Sequence, residues 1–502
     1  MNAMDAVGRR RLLLMGAVQG GVIAFPGTAT AVPNGYQDSK FVSLRDAHKG
    51  TLEIDLRIMN QFGDQPQDVQ DFYVACRAAL AGDDPANAVA KVCRDFKRHK
   101  LGGPLLGDVT STGVSVWMHL PEPSAVTVTL TPKNVTGVKK FEAGGDHRIF
   151  TIGCDNLTPN TTYTYTVTRV DGVALGEGQF TTLPETLAEE PFAISFGADF
   201  HKIGMYRPEL LRLVRDRGSH AMLLIGDSAV DGRKDNVAMI ETDYLLRNLS
   251  PEIQALTANV PTSATWDDHD YWGDDTSGDQ TRSGKPIDAK KLRRIWKTQW
   301  NNPDRDREER PGIYFATHFG PIHYIALDTR SCRVHRRKGQ SGCFLGDEQM
   351  RWLKQQLHDS TSAFILISGG TMWTDNISAG KDSWGVWDPE GREQVFRWID
   401  QKSNARVLLL SGDRHGARGF RIDRPGHPPI HEFEVGTLGG VPGPDPFGKD
   451  RSNQLFGIPS RSWAFGELSF RLDNGTPQAA FRLIDTEGTV LTEHTINGNP
   501  QR

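Results

Sequence analysis

The sequence predicts a layered α/β domain with mixed sheets, of the α+β kind, preceded by a β-sandwich and a short helical N-terminal segment. Three observations predict it. Between about residues 107 and 183 apolar and polar residues alternate at period two, the pattern of half-buried strands. From about 190 to 495, short apolar runs alternate with stretches of helical spacing. Residues 32–100 carry almost no strand pattern. A chain of 502 residues also exceeds one ordinary domain. The expected divisions are 1–31, 32–100, 101–184 and 190–495.

The first 31 residues read as an address. Arg9-Arg10-Arg11 precedes Leu12-Leu13 and a moderately apolar stretch to residue 25, and Ala29-Thr30-Ala31 supplies small residues for cleavage. The paired arginines resemble a twin-arginine export signal. No later segment approaches transmembrane length. The expected location is therefore periplasmic or secreted, with no transmembrane anchor in the mature form. In the next segment, Val69, Phe72, Tyr73, Cys76 and Leu80 fall at helical spacing, and so do Ala86, Val89, Ala90, Cys93 and Phe96. Two helices joined at residues 81–85 are predicted. In an oxidising compartment, Cys76 with Cys93 and Cys332 with Cys343 are plausible disulfides, leaving Cys154 as a buried thiol.

Short strands follow: Val114, Val116 and Met118, then Val126, Val128 and Leu130. Their spacing argues for a sandwich. The Leu157-x-Pro159-x-Thr161-x-Tyr163 pattern resembles a fibronectin type III-like module, with Tyr163 or Tyr165 near its tyrosine corner. No chemistry is assigned to it.

In the α/β region four apolar runs end in acidic and histidine residues. Run 192–197 leads to Asp199-Phe200-His201, and run 221–225 to Gly226-Asp227. The segment 260–265 leads to Trp266-Asp267-Asp268-His269-Asp270, and run 407–410 to Gly412-Asp413-Arg414-His415. Such runs read as buried parallel strands, and ligands bind beyond the carboxyl ends of strands in open α/β sheets. Asp199 and His201, two apart on an extended segment, would share a side, as would Asp413 and His415. Asp268 and His269 would point apart, one to metal and one to substrate. Asp227, after a glycine turn, is the candidate to bridge two cations.

Any one of these motifs taken alone reads more readily as a cap, a surface group or a solvated acidic loop. It is the ordered set that matters. Carboxylates gathered in one buried pocket repel and raise one another's pKa, and cations are their natural counter-charge. Carboxylate with imidazole suggests two metal ions, and two metal ions suggest phosphoester chemistry. A net charge of −4 argues against a protein built around a nucleic-acid partner.

Trp266-Asp267-Asp268-His269-Asp270-Tyr271, Leu327-Asp328-Thr329-Arg330, Ser411-Gly412-Asp413-Arg414-His415, and Asp382-Ser383-Trp384 with Glu390-Gly391-Arg392 carry a family resemblance. Over roughly residues 103–490 the chain resembles the alkaline phosphatase D family of the calcineurin-like metallophosphoesterase superfamily. That implies a sandwich ahead of a metallophosphoesterase domain, and a metal-dependent phosphatase or phosphodiesterase using metal-activated water. The implied ligands are Asp199, His201, Asp227 and His415 for one cation, suiting Fe, Mn or Zn. Asp227, Asp268 and Asp413 would hold a second, suiting Ca, Mg or Mn. Two divalent or trivalent ions are expected, and the residues do not choose among these elements.

His269 is the implied acid, with Asp267 or Asp270 orienting its ring. Arg414 and Arg330 are candidates to touch phosphate. Their rival roles are a surface salt bridge for Arg414 and a brace through Asp328 for Arg330. The substrate class is a small phosphoester: nucleotide, aryl ester or phospholipid head group. The sequence also departs from the family. The first motif lacks a cysteine, Val230 stands at a tyrosine position, and the strand before the last motif ends in Ser368-Gly369-Gly370-Thr371 where the superfamily has a histidine. These departures support the rival reading, a non-catalytic extracytoplasmic binding protein with a degenerate phosphoesterase domain. The retained carboxylates and histidines oppose it. Trp266, Trp272, Trp373, Trp384 and Trp387 read as core packing in preference to a substrate wall.

Overall fold

The computed structural model describes residues 41–133, 137–143, 147–228, 230, 237–278, 286–303, 311–375, 377, 382–448, 450–460 and 462–499. The export-signal reading of residues 1–31, and the start of the helical segment, lie outside the described residues.

Four helices occupy the N-terminal segment: Leu44–Ala47, Leu52–Asn60, Gln67–Leu80 and Pro85–Asp95. The last two are the predicted pair. Asp84 caps the final helix through the Asn87 N–H, and Pro85 sits in its first turn, where a missing N–H costs nothing. Ser43 and Thr51 cap the two shorter helices, which are too brief to register as periodic patterns. Neither predicted disulfide is present; all five cysteines are free thiols. Cys76 and Cys93 are buried in one shared core as free thiols. The Cys343 Sγ is engaged by the Trp387 carbonyl at 2.9 Å. Cys154 is a buried thiol ending a strand, as expected.

Two antiparallel sheets form the sandwich. Gly102–Gly107, Val114–His119 and Ile149–Cys154 make one. Lys139–Ala143, Val126–Pro132, Thr162–Arg169 and Ala174–Thr181 make the other. Val116, Met118, Val126, Val128 and Leu130 pack inward together, which is what the period-two pattern demanded. The Tyr163 hydroxyl accepts the Thr158 N–H at 2.9 Å and pins the turn before its own strand. Tyr165 instead reaches out of the module and donates to the Ala258 carbonyl at 2.8 Å. Asn301 reaches the other way, donating to the Leu105 and Ser115 carbonyls.

The α/β region contains two mixed sheets. In the six-stranded sheet, Thr262–Thr265, Ala221–Ile225 and Phe192–Gly197 run parallel, followed by antiparallel Ala464–Asp473, Thr476–Asp485 and Val490–Asn497. In the seven-stranded sheet, Ile322–Ala326, Phe364–Ser368, Arg406–Ser411 and His427–Val435 run parallel. Alternation along the strands sets the layers. Ala221, Leu223 and Ile225 share one core with Leu366, Leu408 and Leu410 of the other sheet. Met222 and Leu224 face helices on one outer side, while Ile365, Ile367 and Leu409 face helices on the other. The stack is helix, sheet, sheet, helix. Phe433 and Phe481 stack across the middle, centroids 4.0 Å apart.

Candidate metal centre

The strand ends of both sheets meet, and the backbone there is unusual. Asp199, His201, Asp227, Asp413 and His415 all have positive φ, between 48° and 76°. Asp and His tolerate this left-handed region better than most residues, at a cost on the order of 1–3 kcal/mol each. The expectation that Asp199 and His201 share one side of an extended segment is therefore corrected, and so is its counterpart for Asp413 and His415. Left-handed turns aim these side chains, and His201 already opens the helix His201–Gly204. Asp268 and His269 are not extended either. Asp267 is extended and caps the turn Asp268–Tyr271, with Asp270 completing a reciprocal capping box.

The turns bring distant residues together. One ligand atom from each of Asp199, His201, Asp227 and His415 lies within 4.8 Å of the others. Asp267, Asp268 and Asp413 form a second group on the same criterion, and Asp227, Asp268 and His269 a third that joins them. Asp199 locks two segments, accepting the Asp413 and His415 N–H groups at 3.1 Å each. Asp227 accepts the His269 N–H at 3.2 Å. The His415 Nδ1 lies 2.8 Å from the Pro442 carbonyl. Donation there fixes the tautomer and leaves Nε2 with its lone pair, as metal-binding imidazoles require.

Electrostatics point the same way. Burial, opposed by the two N–H donors, pushes Asp199 up to about 7. Burial and the neighbouring carboxylates hold Asp227 and Asp413 well above the usual carboxylate range. Burial also raises Asp268, but Arg330 and His269 outweigh it and keep Asp268 below the usual range. Burial lowers His415, favouring the neutral ring that binds metal. The pocket thus presents clustered carboxylate and imidazole donors, several of them held away from their ordinary protonation by one another, a set that suits cations.

Other predicted residues take different roles. Arg330 does not brace through its side chain to Asp328. It is fully buried and forks onto Asp267 at 2.5 and 2.6 Å, with Asp382 at 3.0 Å. Asp267 is consequently held by Arg330 while also lying within the second acidic group. Asp328 supports the motif loop instead, accepting the Trp266 Nε1–H at 2.8 Å and the Ile313 N–H at 2.9 Å. Asp270 accepts the Ser228 N–H at 2.9 Å. Arg414 lies 3.4 Å from its neighbour Asp413. Where a histidine was missing, Thr371 hydrogen-bonds Asp267 at 3.3 Å, and Gly370 packs so closely that a Cβ would lie 2.4 Å from the Asp267 carboxyl carbon. The tryptophans are core residues; Trp373 and Trp384 contact each other at 4.2 Å.

Sequence reasoning missed several residues. Arg333 clasps Asp382 at 2.7 Å and hydrogen-bonds Thr371. His48 stacks on His269. Gly436 carries no ligand atom, yet a Cβ there would lie 2.0 Å from Asp199 Oδ2. No pattern announces it, because the close approach joins strands remote in sequence. Gly436→Ala should displace the Asp199 carboxylate and weaken metal binding about 10–100-fold, the range for disturbing a ligand's support. Metal titration of the variant checks this, and wild-type affinity would refute it.

Residues 239–452 match the model of the PhoD-like phosphatase family, and residues 98–184 match a domain of unknown function, DUF7800. Alkaline phosphatase D of Bacillus subtilis (strain 168) is 25% identical over 198 residues. That alignment covers 33% of this chain and 33% of the relative, so about a third of the relative's length is spanned. A solved structure of PhoD superposes with a TM-score of 0.58 at 17% identity, covering 80% of this chain and 90% of that one. The purple acid phosphatase PPD1 from yellow lupin (Lupinus luteus) seeds gives 0.58 at 15% identity, covering 78% and 73%. These two structures establish a shared fold.

Proposed function

We propose that this chain, whose residues 239–452 match the PhoD-like phosphatase model, is an exported, metal-dependent hydrolase of small phosphoesters. The observation that carries the reading is the convergence of Asp199, His201, Asp227 and His415 beside Asp267, Asp268 and Asp413. Asp199, His201, Asp227 and His415 would hold one cation, with Asp227, Asp268 and Asp413 at a second. Cations bound there supply a water activated for attack and positive charge for the phosphoryl oxygens.

The chain's own residues do the rest. Asp199 fixes the loops that carry Asp413 and His415. Asp227 anchors the His269 backbone and so sets where that ring lies. His269 would give a proton to the leaving oxygen. Arg414, near the rim of the same loop, is the side chain for a substrate oxygen. Arg330 is committed to Asp267 and Asp382 and so acts by placing Asp267. The run Arg9-Arg10-Arg11 supports export by a twin-arginine signal, and among the described residues no helix is long and apolar enough to cross a membrane.

Metal analysis with turnover on an aryl phosphomonoester and an aryl phosphodiester tests the reading. The expected result is about two equivalents of metal and turnover of at least one ester that chelation abolishes. Metal-free protein with no turnover on either ester after metal addition would establish the binding-protein alternative.

A further inference from the structure

The N-terminal helical segment lies outside the family-matched residues, yet it reaches the centre. His48 follows the helix Leu44–Ala47, and its ring stacks on His269 with centroids 4.5 Å apart at 29°. His201 meets His269 edge-on, at 5.1 Å and 82°. The His269 ring therefore has an imidazole on one face and another against it at right angles. A nitrogen of His48 also lies within 4.8 Å of nitrogens of both other rings. Near-parallel stacking opposes a shared metal, because ligand lone pairs lie in the ring planes and stacked rings direct them side by side. The contact instead restricts ring rotation.

The segment is anchored where it would have to be. Asp55, fully buried, pairs with Lys202 at 2.9 Å, and Lys202 also pairs with Asp243 at 3.1 Å. The Gln61 Nε2 donates to the Ile203 carbonyl at 2.6 Å. Lys202 and Ile203 directly follow His201. Ala47, Ile54 and Ile58 share a core with Phe200 and Ile203. Two polar ties and an apolar seam thus hold the segment against the loop that supplies the first ligand pair.

We propose that His48 is a positioning residue. Its ring, delivered by the N-terminal segment, holds the His269 imidazole in the orientation from which it serves the leaving oxygen. This rests on the hydrolase reading above. The segment is then a working wall of the site as well as packing against it.

The full-length metal-loaded protein, His48→Ala and His48→Phe test this. Phe keeps a flat ring and loses both nitrogens. With an alkyl phosphoester, whose leaving oxygen needs a proton, His48→Ala should lower kcat about tenfold, a fraction of the full contribution of a general acid. KM and metal content should stay at wild-type values, and His48→Phe should recover most of kcat. Selective labelling of histidine rings in protein loaded with a diamagnetic ion gives a second readout. The His269 signals, identified by their loss in His269→Gln, should be single in wild type and His48→Phe, and shifted and broadened in His48→Ala. Wild-type kcat and unshifted His269 signals in His48→Ala would overturn the proposal, as would His48→Phe proving as slow as His48→Ala. If wild type itself turns over no ester, the hydrolase reading fails, and the ring signals still decide whether His48 holds His269.

Discussion

Asp227→Asn is expected to lower turnover by a factor on the order of 10³ or more, with loss of bound metal, while the fold survives. Asp227 belongs both to the Asp199–His201–His415 group and to the Asp268–His269 group, so it joins the two halves of the centre. Asn keeps the shape and one oxygen for the His269 N–H, now at 3.2 Å from Oδ1. What it removes is the charge and the second anionic oxygen, which a shared ligand needs. The sign of the stability effect is informative. Burial, and then the neighbouring carboxylates, hold Asp227 well above its ordinary pKa, so in the metal-free protein its charge is disfavoured. The chelated variant should therefore melt no lower than the chelated wild type. Paired measurements of metal content, kcat and melting temperature check this. Wild-type metal content in the variant would show that Asp227 is not a shared ligand.

Arg330→Met should destabilise the protein by about 3–5 kcal/mol, the range for breaking one side of a buried ion pair. Its guanidinium is fully buried and forks onto Asp267, with Asp382 on the other side. Removing it leaves Arg333, 2.7 Å from Asp382, still paired with that carboxylate, while Asp267 loses its forked partner. Arg330→Lys should recover little, because an ammonium cannot reproduce two parallel N–H bonds to one carboxylate. Lys91→Ala is the control: Lys91 pairs with Asp95 at an exposed site and should leave unfolding unchanged. Chemical unfolding of the three variants decides. If Arg330 served substrate phosphate directly, Arg330→Met would raise KM and leave unfolding at wild-type values.

Parts of this picture were legible in the sequence. Period-two alternation in 107–183 gave the sandwich, and short, mostly apolar runs at 192–197, 221–225 and 407–410 gave buried strands with parallel neighbours. The acidic and histidine residues after those runs were visible as candidates because strand ends are local features. Their arrangement was another matter. The expectation that Asp199 and His201 align by strand alternation gave way to left-handed turns, since three residues of sequence do not encode φ when Asp and His tolerate two basins. The disulfide expectation rested on compartment and spacing, and the structure contains free thiols.

The sequence by itself determined which residues could carry charge and metal, and on which local elements they stand. Only the tertiary structure decided which of them meet. Arg330 found Asp267 across 63 positions and Lys202 found Asp55 across 147. His48 came to lie on His269, and Gly436 was required because Asp199 approaches it. The physical reason is range. Hydrophobic period and turn preference act over a few residues. Partners for a buried charge are chosen by how two sheets and an N-terminal helical segment pack, and no short window of sequence contains that packing.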